Sequence, residues 1–508
     1  MSIFHSTVSR REFMKNLGLA GAGIGAASLV APNFHDVDEL MSSTAAIQKR
    51  PWFVKERAFL DPAVEHDWSA INRYDRRWQS QTTRIKSYFT ETWNRREAAS
   101  AKGAAISAKR QAEQAPGYTL RTRMLHSANL HNFTWSKTWT GPVKSGSNSY
   151  TESKTPEELG LPKWTGTPEE ASKMMNAAMR YYGSVLNGYA EFDQTWKDKV
   201  LVKYTTRGAT KEWSSNNGAL PSDAESLRYE FENVDKGYAT SDGSKYVFPN
   251  KPLWIITTIS PVASQFLKTP NAEAGYGSSF PGPNGTGGTL SSFVYGGTFR
   301  FLRSLGYECY SDTGHQSSPF NENMANQLTG INEQSRQQNY GLNAEYGNAT
   351  YPTTFQTNLP LAPTPPVDAG MWKFCKTCGF CAINCPPGCI ESHKEPTWEI
   401  PPYEGKEVTF HNKGIKAFWN NFILCQEYRS EASGCSQCWG YCTFSVDQAA
   451  MVHALVKQTI SVTPLFNSFF ATMGEVFGYG NMDSPEEWWD MSLPMMGIDT
   501  VKTAWKGR

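Results

Sequence analysis

The sequence predicts an α+β body followed by a small two-cluster, ferredoxin-like module, and two observations carry that prediction. Helical and strand-like segments alternate through the first 350 residues without a clean βαβ repeat, which favours α+β over a doubly wound sheet. Nine of the ten cysteines then crowd between Cys375 and Cys442. Cys375, Cys378, Cys381, Cys385 and Pro386 spell C-x2-C-x2-C-x3-C-P, the thiolate spacing of a cubane iron–sulfur cluster, answered downstream by Cys435, Cys438 and Cys442.

Each element has its own signal. An Ala-, Glu-, Arg- and Lys-rich run from Tyr88 to Ala115 reads as a helix stopped by Pro116-Gly117. Thr167-Pro168-Glu169-Glu170 is a helix start, with Thr as N-cap and Pro at the first helical position. Met174, Met175 and Met179 follow at helical spacing as core packing, and Gly183 closes the helix. Ser184–Tyr189 and the β-branched run Leu253–Ile259 read as strands. Phe280–Gly288 reads as a flexible Gly/Pro loop leading into a helix from Ser291 to Leu305. It has no G-x-x-x-x-G-K-[ST] and so no phosphate cradle. Thr350–Pro366, polar and proline-rich, reads as a linker into the cysteine-rich part.

Composition excludes several functions. With 49 basic and 48 acidic residues the net charge is +1, so no global field recruits nucleic acid. Mean hydropathy is −0.51, and no stretch reaches the roughly 20 apolar residues that span a bilayer. At the N-terminus, Ser9-Arg10-Arg11-Glu12-Phe13-Met14-Lys15 precedes a weakly apolar, glycine-rich segment, the pattern of a twin-arginine export signal with cleavage between Ala31 and Ala46. That pathway carries folded proteins, which suits a chain loaded with metal before export.

Crowding of the cysteines also argues against a disulfide framework, which would staple the long N-terminal part as well. A zinc site uses four ligands in two pairs, whereas this triple followed by C-P has one thiolate too many for a single ion. The second group lacks a cysteine two residues before Cys435, and Cys425 supplies the missing thiolate. By the crossing-over rule of two-cluster ferredoxins, Cys375, Cys378 and Cys381 share a cluster with Cys442, and Cys385 joins Cys425, Cys435 and Cys438. Cys389 and Cys309 are left as buried free thiols. Such thiolates need a reduced, oxygen-poor setting.

The leader, the long middle part and a cluster module with a displaced cysteine together resemble the corrinoid-dependent reductive dehalogenases of organohalide respiration. Phe301-Leu302-Arg303-Ser304-Leu305-Gly306-Tyr307 is similar to that family's F-I-R-x-x-G-Y, and Asn358-Leu359-Pro360-Leu361, Asp368 and Gly370 add to the likeness. The resemblance implies a nitroreductase-like core binding a cobalamin-type corrinoid, fed with electrons by two [4Fe-4S] clusters, which cleaves a carbon–halogen bond of a small halogenated hydrocarbon. It implies no protein ligand to cobalt; Asp312-Thr313-Gly314-His315 does not match D-x-H-x-x-G. It implies a peripheral location on the outer face of the cell membrane, a separate membrane-anchor subunit and an electron donor from the respiratory chain.

The family's proton-donating tyrosine falls at Tyr295, its partner asparagine at Asn321 with Asn323 as the near alternative, and its activating arginine at Arg336. Tyr351 stands where that arginine is expected after Glu345-Tyr346-Gly347. The expected organisation is residues 1–46 as signal and spacer, 47–365 as catalytic core with an N-terminal extension, 366–450 as cluster module and 451–508 as a segment packing on the core. A rival reading, an exported iron–sulfur carrier without its own chemistry, leaves over 300 residues without a task.

Overall fold

The computed structural model describes residues 50–78, 88–127, 135–144, 153–204, 222–223, 226–242, 244–269, 283–311, 318–338, 341–408, 410–432, 434–445, 451–476, 480 and 482–492. The export signal, Asp312–His315 and Phe280–Gly282 lie outside them.

At the centre is a four-stranded antiparallel sheet of β1 (Leu186–Glu191), β2 (Trp254–Pro261), β3 (Cys309–Tyr310) and β4 (Thr350–Thr357), in the order β1-β2-β4-β3. Helices α1 (Thr90–Ala112), α2 (Pro168–Tyr181), α3 (Pro283–Ser304) and α4 (Glu322–Leu328) come from the body. Helices α5 (Met371–Cys378), α6 (Phe422–Glu431), α7 (Met451–Val462) and α8 (Asn467–Val476) follow in the C-terminal part.

Strand periodicity divides the core. Tyr189, Ile256 and Phe355 lie in register across β1, β2 and β4 and pack with Met175 and Met179 of α2 and Val294, Tyr295 and Phe299 of α3. The next residue along β2, Ile255, joins the opposite core with Ala325 and Leu328 of α4. Both methionines are fully buried, each contributing roughly 1.5–3 kcal/mol of transfer free energy. The predicted start of α2 is a reciprocal capping box: Glu170 N donates to Thr167 Oγ1 at 3.2 Å and Thr167 N to Glu170 Oε2 at 2.8 Å, together stabilising the helix by about 1 kcal/mol.

Two expectations are corrected. Pro283–Gly288 opens α3 and is not loop, with Pro283 at the start, where a missing N–H costs nothing. Thr350–Thr357 is no linker but the fully buried inner strand β4. Its threonines, Tyr351 and Phe355 favour a pleated, buried surface and outweigh the signal from Pro352. Among the described residues β3 pairs only with Gln356 and Thr357, so its described ladder stops short of Pro352.

The domain boundaries also cross. Lys55–Glu56 pairs with Val367–Asp368, and α1 packs lengthwise on α6 of the cysteine-rich part. Backbone contact is so close that a Cβ on Gly103 would stand 2.5 Å from the carbonyl oxygens of Ser430 and Glu431. Arg95 adds ion pairs to Glu427 and Glu404 at 3.0 and 3.3 Å. The N-terminal extension thus supports the cysteine module. The C-terminal segment, expected on the core, packs α7 and α8 mainly on α5, burying Ile460 and Phe470 with Met371 and Phe374. The segment also reaches the body, where Lys457 Nζ of α7 donates to Glu345 O at 2.9 Å and Trp488 stacks on Phe266 at 4.8 Å. Among the described residues no helix is long and apolar enough to cross a membrane.

Candidate functional site: a braced nest of cysteines

Helix α5 carries Cys375 and Cys378, the short helix Phe380–Ile383 carries Cys381, and α6 carries Cys425. Cys442 follows the turn Gln437–Gly440, which holds Cys438. None of the ten cysteines forms a disulfide. Their electrostatic neighbours sort them. Cys375 feels Cys442 and Cys378, and Cys381 feels Cys375, Cys378 and Cys442. Cys438 feels Cys435, Cys425 and Cys385. Cys381 also feels Cys438 of the other set, so the two sets are adjacent.

Apolar walls surround both sets. Met371, Phe374 and Phe444 enclose Cys375, Cys378 and Cys442, while Ile390 and Leu424 pack against Cys385, Cys425 and Cys438. Burial is the largest influence on Cys375, Cys378, Cys381, Cys438 and Cys442 and raises every one of these thiols, Cys442 to about 11. Thiolates at these positions therefore need a cationic partner to offset their desolvation. Among the described residues no three His, Cys, Asp or Glu side chains close around a single-ion site.

The stretch 333–336 fixes the helix that presents the first sulfurs. Glu333 accepts from Ala369 N at 2.6 Å and Trp372 N at 3.0 Å, satisfying donors at the N-terminal end of α5, where Gly370 has no side chain to cap. Burial, then the charge of Asp368, raises Glu333 to about 7. Arg336 works at the other end. Its Nε donates to Cys375 O, Nη1 to Glu391 O and His393 O, and Nη2 to Cys375 O and Lys376 O, at 2.7–3.2 Å. Its guanidinium also lies 3.7 Å from the Phe418 ring centre. Nearby, Gln337 Nε2 donates to Cys438 O at 2.8 Å and Asn420 Nδ2 to Arg336 O at 2.8 Å.

Arg336 therefore differs from its expected role. All five of its N–H groups are engaged by main-chain carbonyls, which leaves none for a tyrosine hydroxyl. Asn321 is the N-cap of α4, its Oδ1 accepting from Met324 N at 3.4 Å. Asn323 Nδ2 donates to Gln334 Oε1 at 2.6 Å. Tyr295 is buried on the sheet face of α3, 4.7 Å from the Phe299 ring and 5.9 Å from Phe355, and its hydroxyl donates to Ser311 O at 3.5 Å. The structure thus brings Ser311 to Tyr295 and uses Asn321 and Arg336 elsewhere. Ser311 carried no signal of its own in the sequence; only the pairing of β3 with β4 places it beside α3. Tyr351, in the arginine's expected place, is buried beside Trp439.

Comparison with known proteins decides the family. The family model described as reductive dehalogenase subunit matches residues 49–361, more than half of the chain. This chain belongs to the reductive dehalogenase family. It is 30% identical over 551 residues to the chloroethene reductive dehalogenase of Dehalococcoides mccartyi strain VS, covering 98% of this chain and 99% of the relative. A trichloroethene reductive dehalogenase from another strain of that species is 29% identical over 97% and 98% of the two chains. The tetrachloroethene reductive dehalogenase of Sulfurospirillum multivorans is 31% identical over 30% of each.

Solved structures share the fold at lower identity. A catabolic reductive dehalogenase superposes with a TM-score of 0.54 at 15% identity, over 86% of this chain and 50% of that one. A reductive dehalogenase whose structure was described as suggesting a mechanism for B12-dependent dehalogenation gives 0.52 at 16% identity, over 88% and 52%. This dehalogenase spans about half the length of those solved chains. It is an oxidoreductase acting on carbon–halogen bonds. The family model stops before the cysteine-rich part, whose reading rests on this chain's own residues.

Proposed function

We propose that this reductive dehalogenase is a respiratory enzyme that passes electrons through two [4Fe-4S] clusters to a corrinoid and releases halide from a small halogenated hydrocarbon. The observation that carries the reading is the sorting of the buried sulfurs into two adjacent sets. Cys375, Cys378, Cys381 and Cys442 hold one cluster, and Cys385, Cys425, Cys435 and Cys438 the other. Apolar walls around both sets limit water and help to set the potentials.

The buried polar atoms of the body fit a corrinoid. Asn326 and Gln327 of α4, Ser335, Asn348 and Gln356 keep side-chain atoms buried without a hydrogen-bond partner among the described residues. Buried orphans cost about 1–3 kcal/mol each, and a ring fringed with carboxamide arms offers donors and acceptors of matching type. A bound corrinoid supplies the reduced cobalt that opens the carbon–halogen bond. Among this chain's residues, Tyr295 is assigned the proton that replaces halide, with Ser311 O orienting its hydroxyl. Export by the twin-arginine signal and attachment to the outer membrane face through an anchor protein complete the proposal. Chloroethenes, for which the Dehalococcoides relatives are named, are the first substrates to try.

The test reconstitutes the mature chain with iron, sulfide and a corrinoid. About eight iron atoms per chain, two clusters of four, and halide release driven by a reduced dye are expected. Tyr295→Phe retains iron and corrinoid but loses turnover. A chain that binds no corrinoid and releases no halide overturns the reading.

A further inference from the structure

A fifth sulfur stands in the second nest. Cys389 Sγ lies 3.3 Å from Cys385 Sγ and within hydrogen-bonding reach of Cys425, the side chain is 5% exposed, and Ile390 and Leu424 close the pocket around it. Local geometry puts it there. Gly388 takes φ of 63° and donates its N–H to Cys385 O at 2.9 Å, folding the chain back on itself. Asn421 N, at the start of α6, then donates to Cys389 O at 2.8 Å and ties the returning strand to the helix that bears Cys425. Five sulfurs thus face a site with four irons, and each iron needs one terminal thiolate.

We propose that Cys389 remains a thiol, its S–H donating to the cluster-bound sulfur of Cys385, and that this hydrogen bond raises the reduction potential of the second cluster. The proposal rests on the two-cluster reading above. Reduction adds one electron to the cluster and concentrates negative charge on its sulfurs. A donor held against one of them favours the reduced state more than the oxidised one. Cys385 keeps the ligand role because it completes the regular C-x2-C-x2-C-x3-C-P frame.

The test is a redox titration followed by electron paramagnetic resonance on the reconstituted full chain, with Cys389→Ala and Cys389→Ser beside the parent. Cys389→Ala is expected to retain the parent's iron content and both cluster signals. The second cluster should become harder to reduce, its reduced-to-oxidised ratio at fixed potential falling about tenfold, or about 59 mV for a one-electron couple. Cys389→Ser, which restores an O–H donor, should recover part of the shift. Loss of half the iron in Cys389→Ala would make Cys389 a ligand and overturn the proposal, as would an unshifted potential with full iron. A parent chain that holds fewer than two clusters defeats the two-cluster reading itself, a result read before any variant is made.

Discussion

Arg336 grips the carbonyl oxygen of Cys375 with two donors, Nε at 3.0 Å and Nη2 at 2.9 Å. Three residues earlier, Glu333 holds the opposite end of the same helix through Ala369 N and Trp372 N. Carboxyl acceptors at the N-terminal end of α5 and a guanidinium near its C-terminal end both suit the helix dipole. The pair sets the height and tilt at which α5 presents Cys375 and Cys378.

Arg336→Gln leaves several buried carbonyls without donors and should cost at least about 3 kcal/mol. Arg336→Lys should rescue little, because an ammonium cannot span carbonyls on both the 375–376 and 391–393 segments. Denaturant unfolding and iron content after reconstitution check this, with iron lost first from the cluster held by Cys375. Wild-type iron content and stability in Arg336→Gln would show that the bonds to Cys375 are incidental.

Gly103→Ala sets two effects against each other. In an isolated helix the change gains about 1 kcal/mol. Here the new Cβ would meet two backbone oxygens of α6 at 2.5 Å, and backbone cannot step aside as a side-chain tip can. Forcing α1 and α6 apart should cost about 1–3 kcal/mol, so destabilisation wins. Thermal unfolding of the reconstituted protein is the measurement. Because α6 carries Cys425, the cluster held by Cys385, Cys425, Cys435 and Cys438 should bleach earlier on warming. A stabilised variant would mean that the two helices are not in backbone contact.

The cysteine frame was legible because its chemistry imposes a spacing, and α2 because its capping box is entirely local. β4 was not legible, since Pro352 and the prolines beyond the strand look like a linker until the pairing with β2 along its whole length is seen. Arg336 was misread for a related reason. A lone cation in a polar stretch carries no mark of its partners, and these are carbonyls 39–57 residues further along the chain. Ser311 and the packing of α1 on α6 are likewise products of long-range pairing, which no window of sequence contains.

Glu322, at the first turn of α4, gives a pH signature. Burial raises its carboxyl from 4.5 to about 8, with only the charge of Arg76 opposing. Below about pH 4.5 both folded and unfolded chains carry the proton and the group adds no pH dependence. Between there and about pH 8 the unfolded chain has released a proton that the folded one retains, so stability falls as pH rises, by a few kcal/mol across the window. Above about pH 8 both are ionised and the loss is complete. Glu322→Gln is close in shape and neutral throughout. Its stability should track the parent's near pH 5, decline less on the way to about pH 8 and exceed the parent's beyond that. Chemical denaturation of both proteins at several pH values gives the two slopes, and superimposable slopes would mean that Glu322 is ionised in the folded protein.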